Sequence, residues 1–127
     1  MVAVAKAKYI RISPYKVRRI ANEIKNKNVT DVEAYLTCMT NKSADILKKL
    51  VHSARSNYLN TNSSASEESL VVSNILVDGG PIMKRYHPIS KGRASKILKR
   101  SCHIMVEVTD AAGDKLWDRK LILSDLE

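Results

Sequence analysis

The sequence has no Phe, only four Gly, three Pro and two Cys, and its aromatic share is 5%. Each shortage excludes something. Tyr9, Tyr15, Tyr35, Tyr58, Tyr86 and Trp117 are the only aromatic rings beside three His, too few for the row of stacked rings that single-strand binders use as their main device. Cys38 and Cys102 stand alone, without CxxC spacing or His at zinc-finger intervals, so neither a disulfide framework nor a structural metal is indicated and a reducing compartment is expected. No run approaches the roughly 20 apolar residues that span a membrane. The opening MVAVAKAKYIRI lacks the apolar core of a signal peptide, so no membrane partner is expected. Glycine-rich loops opening a helix after a strand are missing. The three His lie far apart and carboxylates are sparse before residue 107, so no enzyme, no cofactor and no metal site is expected. Ser101, Cys102 and His103 are adjacent, but neighbours on a strand point to opposite faces, so they read as strand register rather than a nucleophile with its base.

The most informative absence is local. From Gly79 to Val106 the chain has no Asp or Glu, yet it carries Lys84, Arg85, Lys91, Arg93, Lys96, Lys99 and Arg100. Elsewhere the balance varies: residues 1–30 hold eight basic and one acidic, 61–78 none and three, and 107–127 three and six. Solubility alone does not require such segregation. An excess of 22 basic over 13 acidic residues, gathered at the N-terminal arm and this stretch, is the footprint of an anionic partner. Nucleic acid is the natural one, because Lys and Arg gain most by releasing counterions condensed on phosphates.

The length of 127 residues suits one domain able to bury close to two-thirds of its unfolded surface. In chain order, Val2 to Ile12 reads as a basic strand or arm. Ser13 and Pro14 signal a helix start, and Val17, Ile20, Ala21 and Ile24 form one apolar stripe. Thr30 to Glu33 fits a capping box for a short helix to about Cys38. Asn41 is the expected cap of a longer helix to about Leu59, with Leu47, Leu50, Val51, Ala54 and Tyr58 on its apolar face and His52 at the surface. Asn60 to Glu68 is a polar loop, Leu70 to Asp78 a strand, and Cys102 to Thr109 alternates with the period of a half-buried strand. The expected class is α+β: three helices packed on a small antiparallel sheet, with a long protruding basic β-hairpin at about 80–100. If that hairpin turns near Ser90, each arm is about ten residues and reaches about 30 Å, against a radius of gyration of about 14 Å for a compact chain of this size. An isolated two-stranded ribbon is marginal in water, so its order is expected to come from the partner.

The residues also carry a resemblance. The stretch VDGGPIMKRYHPISKGRASKILKRSCHIMVEV resembles the long hairpin and flanking strands of the ribosomal large-subunit protein twenty-two family of the bacterial type. ISPYKVRRIANEI and NKSADILKKLVHSARSN are similar to its first and third helices. The match runs from about Ala5 to Asp110, so a single domain is expected over 1–110 and an extension of unknown role over 111–127. The resemblance implies a structural constituent of the large ribosomal subunit, resident in the ribosome of the cytoplasm or of an organelle. It implies that the protein binds and stabilises large-subunit rRNA beside neighbouring ribosomal proteins, while its hairpin lines the exit tunnel and meets the nascent polypeptide.

It further implies RNA contacts by Lys6, Lys8, Arg11, Lys16, Arg18 and Arg19 on the arm and first helix, and by Lys84, Arg85, Lys91, Arg93, Lys96, Lys99 and Arg100 on the hairpin. Met83, Lys84, Arg85, Lys91, Gly92 and Arg93 would lie at or near a tunnel-lining tip. His87, Ile89 and Ser90 stand where many relatives are more basic. Two other classes remain open at this point. A regulator using the ribbon in a DNA groove would show a dimer signal, whereas no homo-oligomer is expected here. An enzyme acting on a phosphorylated substrate would need a convergent acid, base or metal set.

Overall fold

A computed structural model describes residues 2–63 and 66–110. The extension expected over 111–127 lies outside the described residues. The elements run β1 (Val2–Ile10), α1 (Pro14–Ile24), α2 (Val29–Cys38), α3 (Lys42–Thr61), a short 3-10 turn at Glu67–Ser69, β2 (Leu70–Gly79), β3 (Met83–Pro88), β4 (Ala94–Lys99) and β5 (Cys102–Asp110). One antiparallel sheet has the order β1-β5-β2, and β3 pairs with β4 in a separate two-stranded sheet. The expected α+β architecture of three helices on antiparallel strands is what the chain adopts.

The apolar periods explain the packing. Val17, Ile20, Ala21 and Ile24 of α1 and Leu47, Leu50, Val51, Ala54 and Tyr58 of α3 are all buried. α3 lies on β1 and β5 and α1 on β2, over the face of β5 whose Cys102, Ile104, Val106 and Val108 are at most 2% exposed. On β1 this face presents Ala5, with Ala3 and Ala7 packed against the core; short side chains there let a helix lie close. The opposite face keeps Lys6, Lys8, Leu76 and Asp78 exposed. Among the described residues no helix is long and apolar enough to cross a membrane.

All three helix starts differ in detail from the sequence expectation. Ser13 and Asn41 do precede α1 and α3, but neither side chain makes a capping bond. The capping box at Thr30–Glu33 does not form: α2 begins at Val29 behind Asn28. Asn28 is placed by the sheet, bridging to Val71, and the amides of Asn26 and Val72 bond Val72 and Lys27 carbonyls at 2.8 and 3.0 Å. Glu33 is drawn elsewhere, its Oε2 accepting from Arg55 of α3 at 3.0 Å, with His52 at 3.4 Å from Oε1. A half-buried ion pair between helices has displaced a local cap. The loop expected from Asn60 is also shortened, because α3 continues through Thr61.

β2 and β5 lead directly into β3 and β4, so the four strands form one interrupted ribbon. In the body Asp78 faces His103 and Gly79 faces Cys102; beyond it Met83 faces Lys99. Residues 80, 81 and 82 therefore oppose only 100 and 101, a one-residue slip at the neck of the ribbon. The neck is clamped. The Gly80 amide donates to the Ser101 carbonyl at 2.9 Å, and the buried Ser101 hydroxyl donates to the Pro81 carbonyl at 2.7 Å. A Cβ on Gly80 would come within 2.5 Å of Ser101 Oγ, which is why the tightest approach is made by glycine.

Candidate nucleic-acid interface

Beyond the neck the ribbon is six residue pairs long, from Met83↔Lys99 to Pro88↔Ala94, shorter than the ten-residue arms expected because the neck takes up 80–82 and 100 and the turn takes up 89–93. Its turn is Ile89 to Arg93, closed by the Ile89 amide on the Arg93 carbonyl at 2.7 Å. Lys91 and Gly92 both have left-handed backbones, φ 62° and 69°. Gly92 adopts this at no steric cost, which is its reason for being there.

Every residue from 84 to 100 is exposed. Partners across an antiparallel pair share a face. One face therefore carries Lys84, Tyr86, Lys96 and Leu98, and the other Met83, Arg85, His87, Ile97 and Lys99. Cations stand on both faces, with no acidic side chain between them. Arg85 is partly occupied, donating to the Lys84 carbonyl at 2.9 Å and reaching Met83 Sδ at 3.8 Å.

The register divides the residues assigned to the tip. Lys91, Gly92 and Arg93 are at the turn. Met83, Lys84 and Arg85 are at the neck end, since Met83 pairs with Lys99, five residue steps or about 17 Å from Pro88. An antiparallel hairpin brings equal distances from the turn together, and residues 84–88 of β3 stand between Met83 and the turn. Lys96 lies mid-ribbon, Lys99 beside the neck, and Arg100 in the neck itself.

The N-terminal group is arranged differently. Lys6 and Lys8 are exposed on β1, Arg11 follows it, and Lys16 and Arg19 are exposed on α1. Arg18 is engaged with its own fold: its Nε and Nη2 donate to the Val77 carbonyl at 3.2 and 2.8 Å, and its guanidinium lies 5.6 Å from the Tyr15 ring centroid. That bidentate bond ties α1 to β2, so Arg18 is a fastening as well as a charge.

A feature that sequence reading missed is a bulge in β1. Ala7 pairs with Ile104 and Ile10 with Cys102, so Lys8 and Tyr9 together oppose His103. Tyr9 takes a left-handed backbone, φ 57°, uncommon for a non-glycine residue. Its amide donates to His103 Nδ1 at 3.0 Å, and the two rings meet edge to face with centroids 4.8 Å apart. No local signal marks this bulge, because it depends on how β1 registers against a strand some 94 residues away in sequence.

Among the described residues no group of three His, Cys, Asp or Glu could hold a metal. Cys102 is buried, and that burial raises its thiol pKa, opposed by the nearby Arg18 charge; Tyr35 is raised by its 2.6 Å hydrogen bond to Glu23. Neither is arranged as a catalytic pair.

Residues 5–109 match the family model of ribosomal protein L22p/L17e. The large ribosomal subunit protein uL22 of Herpetosiphon aurantiacus is 43% identical over 110 residues, 87% of this chain and 96% of that protein. The uL22c protein of Cyanophora paradoxa is 42% identical over 104 residues, 82% and 90% of the two chains. The uL22 protein of Petrotoga mobilis is 45% identical over 111 residues, 87% of this chain and 74% of its own.

Proposed function

The chain belongs to the ribosomal protein L22p/L17e family, and from that premise we propose that its exposed basic ribbon is an rRNA-binding element whose turn lines the nascent-peptide tunnel. Membership makes the protein a structural constituent of the large ribosomal subunit, located in the ribosome, and not an enzyme. The finer roles are our reading of the geometry. The observation that carries it is a ribbon with every residue from 84 to 100 exposed and cations on both faces. A reader of one DNA groove would concentrate its charge on the face turned to the duplex. Charge on both sides suits a strand pair surrounded by phosphates, where each Lys or Arg replaces condensed counterions.

On this reading Lys84, Arg85, Lys96, Lys99 and Arg100 contact RNA along the ribbon and neck, with Lys6, Lys8, Arg11, Lys16 and Arg19 extending the interface over the body. Arg18 positions α1 and adds its charge from there. Lys91, Gly92 and Arg93 form the tunnel-facing turn and contact RNA at its edge. Met83, Lys84 and Arg85 stand too far from the turn to share the tunnel wall, so we assign them to the RNA side. The family match ends at residue 109, which supports a domain over 1–110 and a separate extension over 111–127.

The test is cosedimentation of the tagged protein with separated ribosomal subunits, followed by crosslinking from a probe at Ser90 in the turn. Recovery with the large subunit and crosslinks to both RNA and nascent peptide are expected. Crosslinks to RNA alone would remove the tunnel assignment. Loss from ribosomes at moderate salt, with recovery on DNA, would replace the reading with a groove-binding regulator.

A further inference from the structure

The β1 bulge opens a depression on the face of the sheet away from the helices, lined by Lys6, Lys8, Tyr9, Asp78, His103 and Met105. We propose that it is a pocket for a single unstacked RNA base, guanine in preference to uracil. This rests on the reading of the chain as an rRNA-binding protein and names what one part of that interface holds.

Four features converge. Tyr9 is 65% exposed, so its ring is open to stacking although His103 meets it edge to face. Base stacking on an exposed aromatic is a common way to hold an unpaired RNA base. The left-handed Tyr9 backbone costs energy that a surface turn has no need to store, and such outliers concentrate where ligands are held. Here the bond from the Tyr9 amide to His103 Nδ1 holds that backbone conformation, and the edge-to-face contact sets the Tyr9 ring against the imidazole. That bond also fixes the histidine's role: Nδ1 accepts, so the neutral ring carries its hydrogen on Nε2. His103 is thus a positioning residue for Tyr9.

Charge sets the orientation. Lys6 and Lys8 are exposed at one side of the depression, placed for the phosphates flanking the base. Asp78 lines the same depression, is exposed, and has no ion-pair partner among the described residues. A carboxylate repels phosphate but accepts hydrogen bonds from a base edge. Guanine offers two parallel N–H donors on its Watson–Crick edge, which a carboxylate accepts together; uracil offers one N–H between two carbonyls that repel it. Met105 adds an apolar side chain to the lining.

The test uses the full chain with two oligoribonucleotides, a uridine octamer and the same octamer with one central guanosine, titrated at several salt concentrations. The guanosine octamer is expected to bind about tenfold more tightly. Tyr9→Leu is expected to lower its affinity by about tenfold at every salt concentration without changing the slope of log K against log salt. Tyr9→Phe keeps the affinity, and His103→Asn, whose side-chain oxygen can still accept, keeps most of it. Asp78→Asn, an exposed change that does not touch the bulge, removes the guanosine preference. Lys6→Gln with Lys8→Gln flattens the salt slope by about 1.5 units. Equal binding of both octamers, or a Tyr9→Leu chain that is folded and binds unchanged, overturns the pocket while leaving the wider RNA interface intact. Displacement of the octamer by guanosine monophosphate at the octamer's own concentration overturns the assignment to RNA in favour of a free nucleotide. Failure of the unaltered chain to bind either octamer or rRNA at low salt overturns both this proposal and the function it rests on.

Discussion

The sheet of the body and the ribbon beyond the neck follow one another along the chain, both antiparallel, yet they are held by different forces. In β5, Cys102, Val106 and Val108 are fully buried, and the helices cover one face of their sheet. In β4, Ile97 and Leu98 are 37% and 41% exposed on opposite faces, and among the described residues no helix covers either. Hydrogen-bonded pairing is common to both; burial belongs to one. Pairing alone contributes little net stability in water, because unpaired groups bond water instead, so the body is ordered by its core and the ribbon requires a partner to be held as firmly.

That contrast can be broken by experiment. Leu47→Ala removes a fully buried side chain and is expected to cost about 2–5 kcal/mol in urea unfolding. Ile97→Ala on the ribbon should stay within about 0.5 kcal/mol of the unaltered chain. Comparable losses would mean that the ribbon has a core of its own. Replacing Lys84, Arg85, Lys91 and Arg93 by Ala should leave helical content and thermal midpoint unchanged, while the salt slope of rRNA binding falls by about three to four units. Collapse of the thermal midpoint in that variant would show that body and ribbon are one cooperative unit.

The neck probes the boundary itself. Ser101→Ala, which removes the buried hydroxyl bonded to the Pro81 carbonyl, is expected to destabilise by about 1 kcal/mol. Amide exchange should quicken at Gly80 and along β3 more than in β2. Uniform acceleration through the body would place Ser101 in the core instead. The smallest effect concerns the thiols. Burial raises the Cys102 pKa above its ordinary value of 9.0, so the folded chain holds that proton more tightly than the unfolded chain does. This contribution is complete below pH 9.0 and is lost as pH rises through the folded-state value. Unfolding between pH 8 and 10 should therefore show a shallower loss of stability in Cys102→Ala than in the unaltered chain. Identical slopes would mean that Cys102 does not feel its burial. In the same comparison iodoacetamide should label the exposed Cys38 well before Cys102.

What could be read from the sequence was what depends on near neighbours. The stripes of α1 and α3 obey the helical period, and each of their apolar positions is buried. Cys102 to Val108 alternates as it must when one face is covered. The basic ribbon showed in charge segregation, because an acid-free stretch needs no fold to be noticed. What escaped depends on distant partners. Glu33 looked like a capping residue until α3 offered Arg55. Arg18 was grouped with the RNA-contacting cations, and nothing in its neighbours showed that the Val77 carbonyl holds its guanidinium. Tyr9 looked like an ordinary strand residue, and only the register against β5 makes it the head of a bulge. The residues grouped at the tip were separated for the same reason: Lys84 and Arg93 are both basic and exposed, and pairing alone assigns one to the neck end and the other to the turn.

The slip at the neck has a consequence for how such a chain can vary. A one-residue shift exchanges the faces of a strand, so without a reset the buried side of β2 and β5 would dictate which ribbon side chains point each way. Three residues against two at 80–82 and 100–101 cancel that inheritance. Length and side-chain pattern beyond residue 82 are then independent of the helices below. Ribbons of other lengths, grafted between residues 82 and 100 in whole cross-strand pairs, should leave the body's fold as it is, making this part of the molecule an exchangeable module on an unchanging mount.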